Sequence, residues 1–201
     1  MKGLPHDKSV ESCLAKLREH FPAWQDAELE LQPLEGGITN KNFRVEAGGV
    51  SYVLRLFGSG SELLGINRDH EHTCSEIADR LGVGAEVVYY DPAVGLLVTR
   101  FIEGAVLSPE TASRPEVIAR IAEILRVVHG GPDFPGSFSP FEMARAYHRR
   151  ASERHGDFPE RFRPCFAVME RVESALAGGP PPRPCHNDLL AGNFLDDGRN
   201  I

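Results

Sequence analysis

Hydrophobic and polar residues alternate with a period of two along much of the first hundred positions, which is typical of strands in a half-buried sheet. Four of these runs pair into two hairpins, because turns rich in glycine or containing proline separate the members of each pair. The runs are 42–46 with 50–57 and 86–90 with 96–102, and an extended segment over 29–34 precedes them. The pattern predicts one antiparallel sheet in the first half of the chain.

Helical periodicity separates the two hairpins and then dominates the second half of the chain. A helix over 68–81 is predicted between the hairpins, with Asn67 as its N-cap and Gly82 after its last turn. The other predicted helices cover 10–20, a segment opened by Pro115, 139–155 and 164–177. Together these patterns predict an α+β fold, with a strand-rich lobe over 1–103 and a helical lobe over 104–201.

Composition and charge narrow the class of protein and of partner. The 201 residues are 41% hydrophobic and carry a formal net charge of −7, which argues against nucleic acid or an anionic membrane as the main partner. No stretch approaches the roughly 20 apolar residues of a membrane span, and the charged first 21 residues do not resemble a signal peptide. The four cysteines form no CxxC pair, so we expect free thiols and a cytoplasmic protein without membrane insertion. Nothing in the sequence indicates an oligomeric state.

The most informative segment is the loop CHNDLLAGNFL over residues 185–195. It places Asp188 and Asn193 five positions apart. Phosphoryl transfer uses such a pair, because a carboxylate accepts the proton of the attacking hydroxyl and an amide oxygen holds Mg²⁺ on the nucleotide phosphates. An ordinary turn is the alternative interpretation, since His, Asn and Asp are common in loops.

A glycine-containing turn, EGGITN over residues 35–40, lies between two of the predicted strands. It contributes Gly36, Gly37, Thr39 and Asn40 as candidate nucleotide-binding residues. Glycine allows backbone N–H groups to approach phosphates closely. A glycine pair between strands is also common as a plain turn, so this signal by itself is weak.

Arg55 is a lone cation within the apolar run YVLRLF. It either faces solvent at an alternating position or binds phosphate or carboxylate through its guanidinium group. Glu71 in the following helix is a candidate to orient Arg55, and Glu76 is a competitor. His70 and His72 are two positions apart on that helix and point to different sides, which indicates a surface pair rather than a metal site.

Taken in order, these segments resemble the choline/ethanolamine kinase group of the aminoglycoside-phosphotransferase-like superfamily, which shares the protein kinase fold. The matching segments are LEGGITNKNFRV (34–45), YVLRLFG (52–58), INRDHEHTCSEIADRLGVG (66–84), EVVYYDPAVGLLVTRFIEG (86–104) and CHNDLLAGNFL (185–195). They span nearly the whole chain, and the last is the most specific. Arginine rather than lysine at position 55 also resembles choline kinases.

The resemblance implies a two-lobed fold and ATP-dependent phosphorylation of a small amino alcohol, choline or ethanolamine, with Mg²⁺ as the metal ion. It implies that Asp188 is the catalytic base and that Asn193 is a Mg²⁺ ligand. His186 is expected to brace the loop through hydrogen bonds. The resemblance also selects Glu71 over Glu76, and it assigns adenine contacts to the backbone of residues 99–102, which include Arg100 and Ile102.

The end of the chain departs from the family pattern. Family members continue into an Ile-Asp-[Trp/Phe]-Glu type segment that holds the second Mg²⁺ ligand, whereas here residues 194–201 read as a strand, a turn that contains Asp196 and Asp197, and the start of a return strand. We therefore expect a truncated helical lobe and little or no activity from the chain by itself. The alternatives are an aminoglycoside or thiamine phosphotransferase and a non-catalytic, nucleotide-binding pseudokinase module.

Overall fold

The structure of the protein is a computed structural model that describes residues 8–34, 40–58 and 65–201. Three of the predicted phosphate-contacting residues, Gly36, Gly37 and Thr39, lie outside the described residues. The helices are α1 (Lys8–His20), α2 (Arg68–Arg80), α3 (Pro109–Ala112), α4 (Pro115–His129), α5 (Pro140–Glu153) and α6 (Phe162–Leu176). The strands are β1 (Leu31–Leu34), β2 (Asn40–Ala47), β3 (Val50–Phe57), β4 (Val87–Asp91), β5 (Leu96–Arg100), β6 (Ala105–Val106) and β7 (Leu195–Asp196).

Five strands form one antiparallel sheet in the order β1-β2-β3-β5-β4. The two predicted hairpins, β2-β3 and β4-β5, are both present, and α2 lies between them along the chain. The prediction of an α+β fold with a single antiparallel sheet is confirmed. Helix α2 ends one residue earlier than predicted, and β5 ends at Arg100 rather than at Ile102.

A hydrophobic core fills one face of this sheet, and α1 packs against it. Its fully or nearly buried members are Cys13, Leu17, Trp24, Phe43, Val45, Ala47, Leu54, Leu56, Leu96 and Val98. Side chains alternate along a strand, so Leu54 and Leu56 of β3 point into this core while Arg55 between them points to the opposite face. The strand pattern thus places a charged residue on the central strand without burying it among apolar side chains.

Helix α2 is fixed at both ends, which sets the position of its first turn. The Asn67 side chain accepts hydrogen bonds from the backbone N–H groups of Asp69 at 3.0 Å and His70 at 3.1 Å, as the N-cap prediction requires. Near the other end, the carboxylate of Asp79 accepts a hydrogen bond from the N–H of Val87 at 3.1 Å, which ties α2 to β4. Glu71 is therefore held in the first turn of a helix whose two ends are both anchored.

The chain divides into two compact units, Met1–Pro135 with Pro184–Ile201, and Gly136–Arg183. In the second unit, the Arg145 guanidinium pairs with the Glu173 carboxylate and joins α5 to α6. The imidazole of His148 lies among three phenylalanine rings, Phe158, Phe162 and Phe166, with ring centroids 4.8–5.2 Å away. The lobe boundary predicted at residues 103 and 104 stays a prediction.

The end of the chain differs from the sequence prediction. Leu195 and Asp196 form β7, which pairs with β6 in the segment 101–108 between β5 and α3, called the linker below. No strand is present over residues 199–201 of the described chain. Asp196 therefore belongs to a strand. Asp197 begins a turn, in which its N–H donates a hydrogen bond to the Asn200 carbonyl at 3.1 Å. Pairing to a segment ninety residues away is a tertiary contact that local sequence pattern does not encode.

Asp196 is held by Arg120 of α4. The guanidinium group donates two hydrogen bonds to the carboxylate, at 2.6 and 2.9 Å, and the Gly198 N–H donates a third at 2.9 Å. The Arg120 guanidinium, followed by the Gly198 N–H, holds the pKa of Asp196 below its ordinary value. A bidentate pair of this kind fixes the strand that directly follows Asn193.

This pairing predicts a specific acid sensitivity. Because the pKa of Asp196 is lower in the folded chain, its contribution to stability is present above about pH 4, the ordinary pKa of an aspartate, and is lost as the pH falls through the lower folded value. We expect the urea midpoint of Asp196→Asn to lie below that of the wild type at pH 7 and to change less between pH 7 and pH 3. Equal acid dependence of the two proteins would contradict this assignment. The pKa of Asp197 is also lowered, so this residue contributes part of the acid dependence of stability in both the wild type and Asp196→Asn.

Gly104 allows the linker to pass directly over β7. A Cβ atom at this position would lie 2.5 Å from Leu195 Cδ2 and 2.6 Å from the Asp196 carbonyl oxygen. We expect Gly104→Ala to lower the free energy of unfolding by about 1–3 kcal/mol, because the backbone must shift to relieve the overlap. Gly192→Ala is the matched control, since a Cβ at Gly192 meets no atom within 4 Å. Chemical denaturation should give Gly104→Ala a lower free energy of unfolding than Gly192→Ala, and equal stabilities of the two variants would contradict the prediction.

Two further observations concern membrane-spanning helices and the cysteines. Within the part of the chain that the structure describes, no helix combines the length and the apolar character needed to cross a bilayer. Each of the four cysteines is a free thiol.

Candidate active site

The loop that begins at Cys185 contains the predicted catalytic residues and turns sharply at Asn187. The φ angle of Asn187 is +62°, in the left-handed region that asparagine tolerates better than most residues. Its side-chain N–H donates to the Cys185 carbonyl at 3.3 Å, and the Asp188 N–H donates to His186 Nδ1 at 3.3 Å. The turn presents Asp188 at the surface, where its side chain is exposed.

Asp188 and Asn193 are in direct contact. Asn193 Nδ2 donates to Asp188 Oδ2 at 2.8 Å and to the Asp188 carbonyl oxygen at 3.0 Å. A short 3-10 turn over Ala191–Asn193 returns the chain so that the two side chains meet. Both bonds are donated by the amide nitrogen, so Asn193 Oδ1 has no hydrogen-bond partner among the described residues and is an available acceptor. An amide oxygen is a ligand that Mg²⁺ accepts, so Asn193 Oδ1 fits the role of one ligand of the predicted metal ion, although the described residues contain no cluster of three or more His, Cys, Asp or Glu side chains that could hold a metal ion.

His186 braces the loop against the small core beneath it. Its ring stacks on Phe194 with centroids 5.4 Å apart and an interplanar angle of 17°. Phe194 is 7% exposed and packs with Leu107 and Val117. The Asp188 N–H donates to His186 Nδ1 at 3.3 Å, so His186 contacts both the loop backbone and Phe194. The bracing role that the sequence assigned to His186 is therefore compatible with its position, while its part in catalysis stays a prediction.

Arg55 and Glu71 form the second part of the site. Arg55 Nη1 donates to Glu71 Oε1 at 3.0 Å, and the side chains are 38% and 22% exposed. Glu76, the competing acid, instead lies 3.8 Å from His72 Nε2. The His72 ring stacks on Tyr90 rather than approaching His70, with centroids 4.1 Å apart. The structure thus joins the strand arginine to Glu71, and the nucleotide-binding role of the pair remains a prediction.

A cavity of about 720 Å³ brings several predicted residues together. Glu71 of α2, Ile102 of the linker, and His186 and Asn193 of the loop all line it. Its remaining walls come mainly from apolar side chains of α2, α4 and the last strand, among them Cys74, Ala78, Ile124, Leu125, Val128 and Leu195. Glu71, the partner of Arg55, and Asn193, the partner of Asp188, therefore line the same cavity although about 120 residues separate them along the chain. Arg55 and Asp188 themselves are not among its lining residues.

The predicted adenine contacts are only partly open to a ligand. The Arg100 N–H donates to the Glu86 carbonyl at 2.8 Å, its Nε donates to the Glu86 carboxylate at 3.0 Å, and its guanidinium lies over the Tyr52 ring. The Phe101 N–H donates to the Ser51 carbonyl at 3.0 Å. Among the described residues the Ile102 N–H has no hydrogen-bond partner, and Ile102 lines the cavity. Of Arg100, Phe101 and Ile102, it is Ile102 whose backbone N–H is available for a contact with adenine.

Arg68 is a residue of this site that the sequence analysis did not single out. Its Nη1 donates to Glu71 Oε2 at 2.5 Å, and its guanidinium carbon lies 4.3 Å from the centre of the Phe57 ring. The spacing of three residues to Glu71 on one helix is a signal that would have found it. Asn40, also predicted to bind nucleotide, begins β2, and its side-chain oxygen is buried without a hydrogen-bond partner in the described chain.

Comparisons with known proteins identify the family of this chain. A family profile described as a phosphotransferase enzyme family matches residues 30–201. LicA of Haemophilus influenzae is 27% identical over 167 residues, which cover 80% of this chain and 48% of that protein. Human ethanolamine kinase 1 is 29% identical over 201 residues, which cover 92% of this chain and 44% of that protein. The chain thus spans about half the length of these relatives.

Solved structures of choline and ethanolamine kinases are similar to this chain. A choline/ethanolamine kinase family protein from Mesorhizobium loti is 35% identical with a TM-score of 0.73, and the match covers 96% of this chain and 62% of that one. The choline kinase LicA from Streptococcus pneumoniae is 26% identical with a TM-score of 0.76, and the match covers 94% and 64%. A LicA structure in complex with AMP has a TM-score of 0.69 at 25% identity and covers 96% and 65%.

Proposed function

Because this chain belongs to the phosphotransferase enzyme family, we propose that it binds ATP and transfers the terminal phosphoryl group to the hydroxyl of choline or ethanolamine. The resemblance to choline/ethanolamine kinases, and to their protein kinase-like fold, that the sequence predicts is confirmed. The nucleotide, the acceptor and the residue roles below are proposals.

One observation carries the proposal. Glu71, which binds Arg55, and Asn193, which binds Asp188, line the same cavity. Phosphoryl transfer requires cations at the nucleotide phosphates and a carboxylate at the attacking hydroxyl within a few ångströms of each other. An ordinary turn around Asp188 does not account for a shared cavity between its partner Asn193 and the glutamate that binds a strand arginine.

In this proposal Asp188 accepts the proton of the substrate hydroxyl and orients that oxygen toward the phosphorus atom. Asn193 holds Asp188 in place through its amide nitrogen and offers Oδ1 to the metal ion. When bound, Mg²⁺ neutralises negative charge on the phosphates. Little covalent chemistry is left for the protein, so positioning and charge compensation supply the rate.

Arg55 is proposed to bind the nucleotide phosphates. The pair with Glu71 fixes the guanidinium above the sheet, and this group keeps its charge at any relevant pH. The remaining N–H donors of Arg55 are then available for phosphate oxygens, which guanidinium groups bind with two parallel hydrogen bonds. The Ile102 backbone supplies the adenine contact.

The choice of an amino alcohol as acceptor is supported by the relatives. Human ethanolamine kinase 1, the Mesorhizobium loti choline/ethanolamine kinase family protein and the Streptococcus pneumoniae choline kinase carry these substrates in their names. The chain covers only part of each of them.

Two measurements test the proposal separately. Isothermal titration of the 201-residue chain with ATP and Mg²⁺ is expected to give saturable binding, and a chain that does not bind contradicts the proposed nucleotide site. Transfer of labelled γ-phosphate is then followed with choline, ethanolamine, thiamine and an aminoglycoside as acceptors. We expect choline- or ethanolamine-dependent transfer. Exclusive transfer to thiamine or the aminoglycoside would overturn the acceptor assignment.

A further inference from the structure

Glu71 serves two arginines at once. Arg55 Nη1 is 3.0 Å from Oε1, and Arg68 Nη1 is 2.5 Å from Oε2, so each carboxylate oxygen has its own guanidinium partner. Two positively charged groups share one negative charge, and a positive charge remains uncompensated within this cluster. The cluster bridges the central strand β3 and the first turn of α2.

Arg68 is the more enclosed of the two arginines. Its side chain is 15% exposed, against 38% for Arg55. One face of its guanidinium lies over the Phe57 ring, and Nε and Nη2 are buried without a hydrogen-bond partner among the described residues. The adjacent N-cap bonds of Asn67 fix the helix backbone from which it extends. Packing therefore holds Arg68 in one place, and its single charged hydrogen bond points at Glu71.

We propose that Arg68 is a positioning residue that occupies one oxygen of Glu71 and so keeps Arg55 available for nucleotide phosphate. An isolated arginine and carboxylate favour a bidentate pair that uses two N–H donors. With Arg68 on Oε2, Glu71 holds Arg55 through Nη1, the one Arg55 donor with a partner in the described chain. This inference rests on the proposed function, because it assigns Arg68 a task only if Arg55 binds phosphate.

The inference predicts a defect that is specific for phosphate. Without Arg68, Glu71 is free to take both terminal nitrogens of Arg55, and the uncompensated positive charge disappears. A loss of about tenfold in affinity for ATP is expected, in the range of one charged hydrogen bond. Adenosine carries no phosphate, so its affinity should not change. A residue that only packs against Phe57 would affect both ligands alike.

The test compares ATP and adenosine affinities of the 201-residue chain by isothermal titration. Arg68→Met keeps the apolar stem over Phe57 and removes the charge, and it should bind ATP about tenfold more weakly. Arg68→Lys restores a positive partner for Glu71 and should lie within about threefold of the wild type. Arg80→Met, at the exposed C-terminal end of the same helix, is the matched control and should leave ATP affinity unchanged. In a Glu71→Gln background, Arg68→Met should have little further effect.

Each result decides between the alternatives. An ATP-specific loss that lysine rescues supports the inference, whereas wild-type ATP affinity in Arg68→Met overturns it and leaves the proposed function standing. Equal losses for ATP and adenosine also overturn it, since they indicate a general disturbance of the cavity. Should Arg68→Met fail to fold, Arg68→Gln replaces it with the same ATP-specific expectation. A wild-type chain that binds no ATP refutes the proposed function first, and the role of Arg68 with it.

Discussion

Replacing Asp188 with asparagine is expected to lower phosphoryl transfer to choline or ethanolamine by about a thousandfold, the contribution of a general base. The amide cannot accept the proton of the attacking hydroxyl. Asn193 Nδ2 still finds an oxygen acceptor at position 188, so the loop should keep its shape. Because Asp188 is exposed, the free energy of unfolding should change little.

The measurement is γ-phosphate transfer with excess ATP, together with ATP affinity by titration. Asp133→Asn, the same substitution at an exposed residue outside the candidate site, is the control and should retain wild-type transfer. ATP affinity of Asp188→Asn is expected to stay within about threefold of the wild type, because the carboxylate acts on the acceptor and not on the nucleotide. Transfer above a tenth of the wild-type rate would show that Asp188 is not the base.

Replacing Arg55 with methionine is expected to weaken ATP binding between about tenfold and about a hundredfold. That range corresponds to one or two charge-assisted hydrogen bonds to phosphate. Methionine retains much of the apolar stem, and Glu71 keeps Arg68 as a partner, so no buried charge is left unpaired. Stability should therefore fall by far less than binding.

Two further variants separate charge from geometry. Arg55→Lys keeps the charge but cannot form two parallel hydrogen bonds, and it should recover only part of the affinity. Arg18→Met, at an exposed position of α1, tests whether loss of any surface arginine matters and should bind ATP like the wild type. If Arg55→Met bound ATP with unchanged affinity, the pair of Arg55 and Glu71 would be a structural ion pair with no nucleotide role.

Sequence patterns predicted the sheet and its helix well, for local reasons. The β2-β3 hairpin follows from alternating residues on either side of a glycine turn, and the structure gives Val50–Phe57 the predicted bounds. Asn67 caps α2 as predicted, because the N-cap bond is made to N–H groups two and three residues later. Boundaries moved by a few residues where strand pairing extended or shortened a run, as at the ends of β2 and β5.

Long-range contacts escaped the sequence analysis. Asp196 was predicted in a hairpin turn, yet it lies in β7 and binds Arg120, which is 76 positions away. Arg68 was not singled out, because a charged residue in the first turn of a helix is usually solvated and its enclosure by Phe57 depends on how β3 meets α2. The N–H and Nε of Arg100 bind Glu86 in the structure, and the assignment of Arg100 to the nucleotide stays a prediction.

The amino-acid sequence by itself determined the elements of this protein and the chemical identity of its candidate catalytic groups, because periodicity, caps and the Asp188–Asn193 spacing act within a few residues of each other. The tertiary structure decided which of those groups share a cavity and how each is held. Glu71 and Asn193 line one cavity, and Arg55 of β3 reaches the Glu71 carboxylate, only because packing of the sheet, α2 and the loop brings distant segments together. Such contacts arise from burial and geometry across the whole chain, and no local pattern records them.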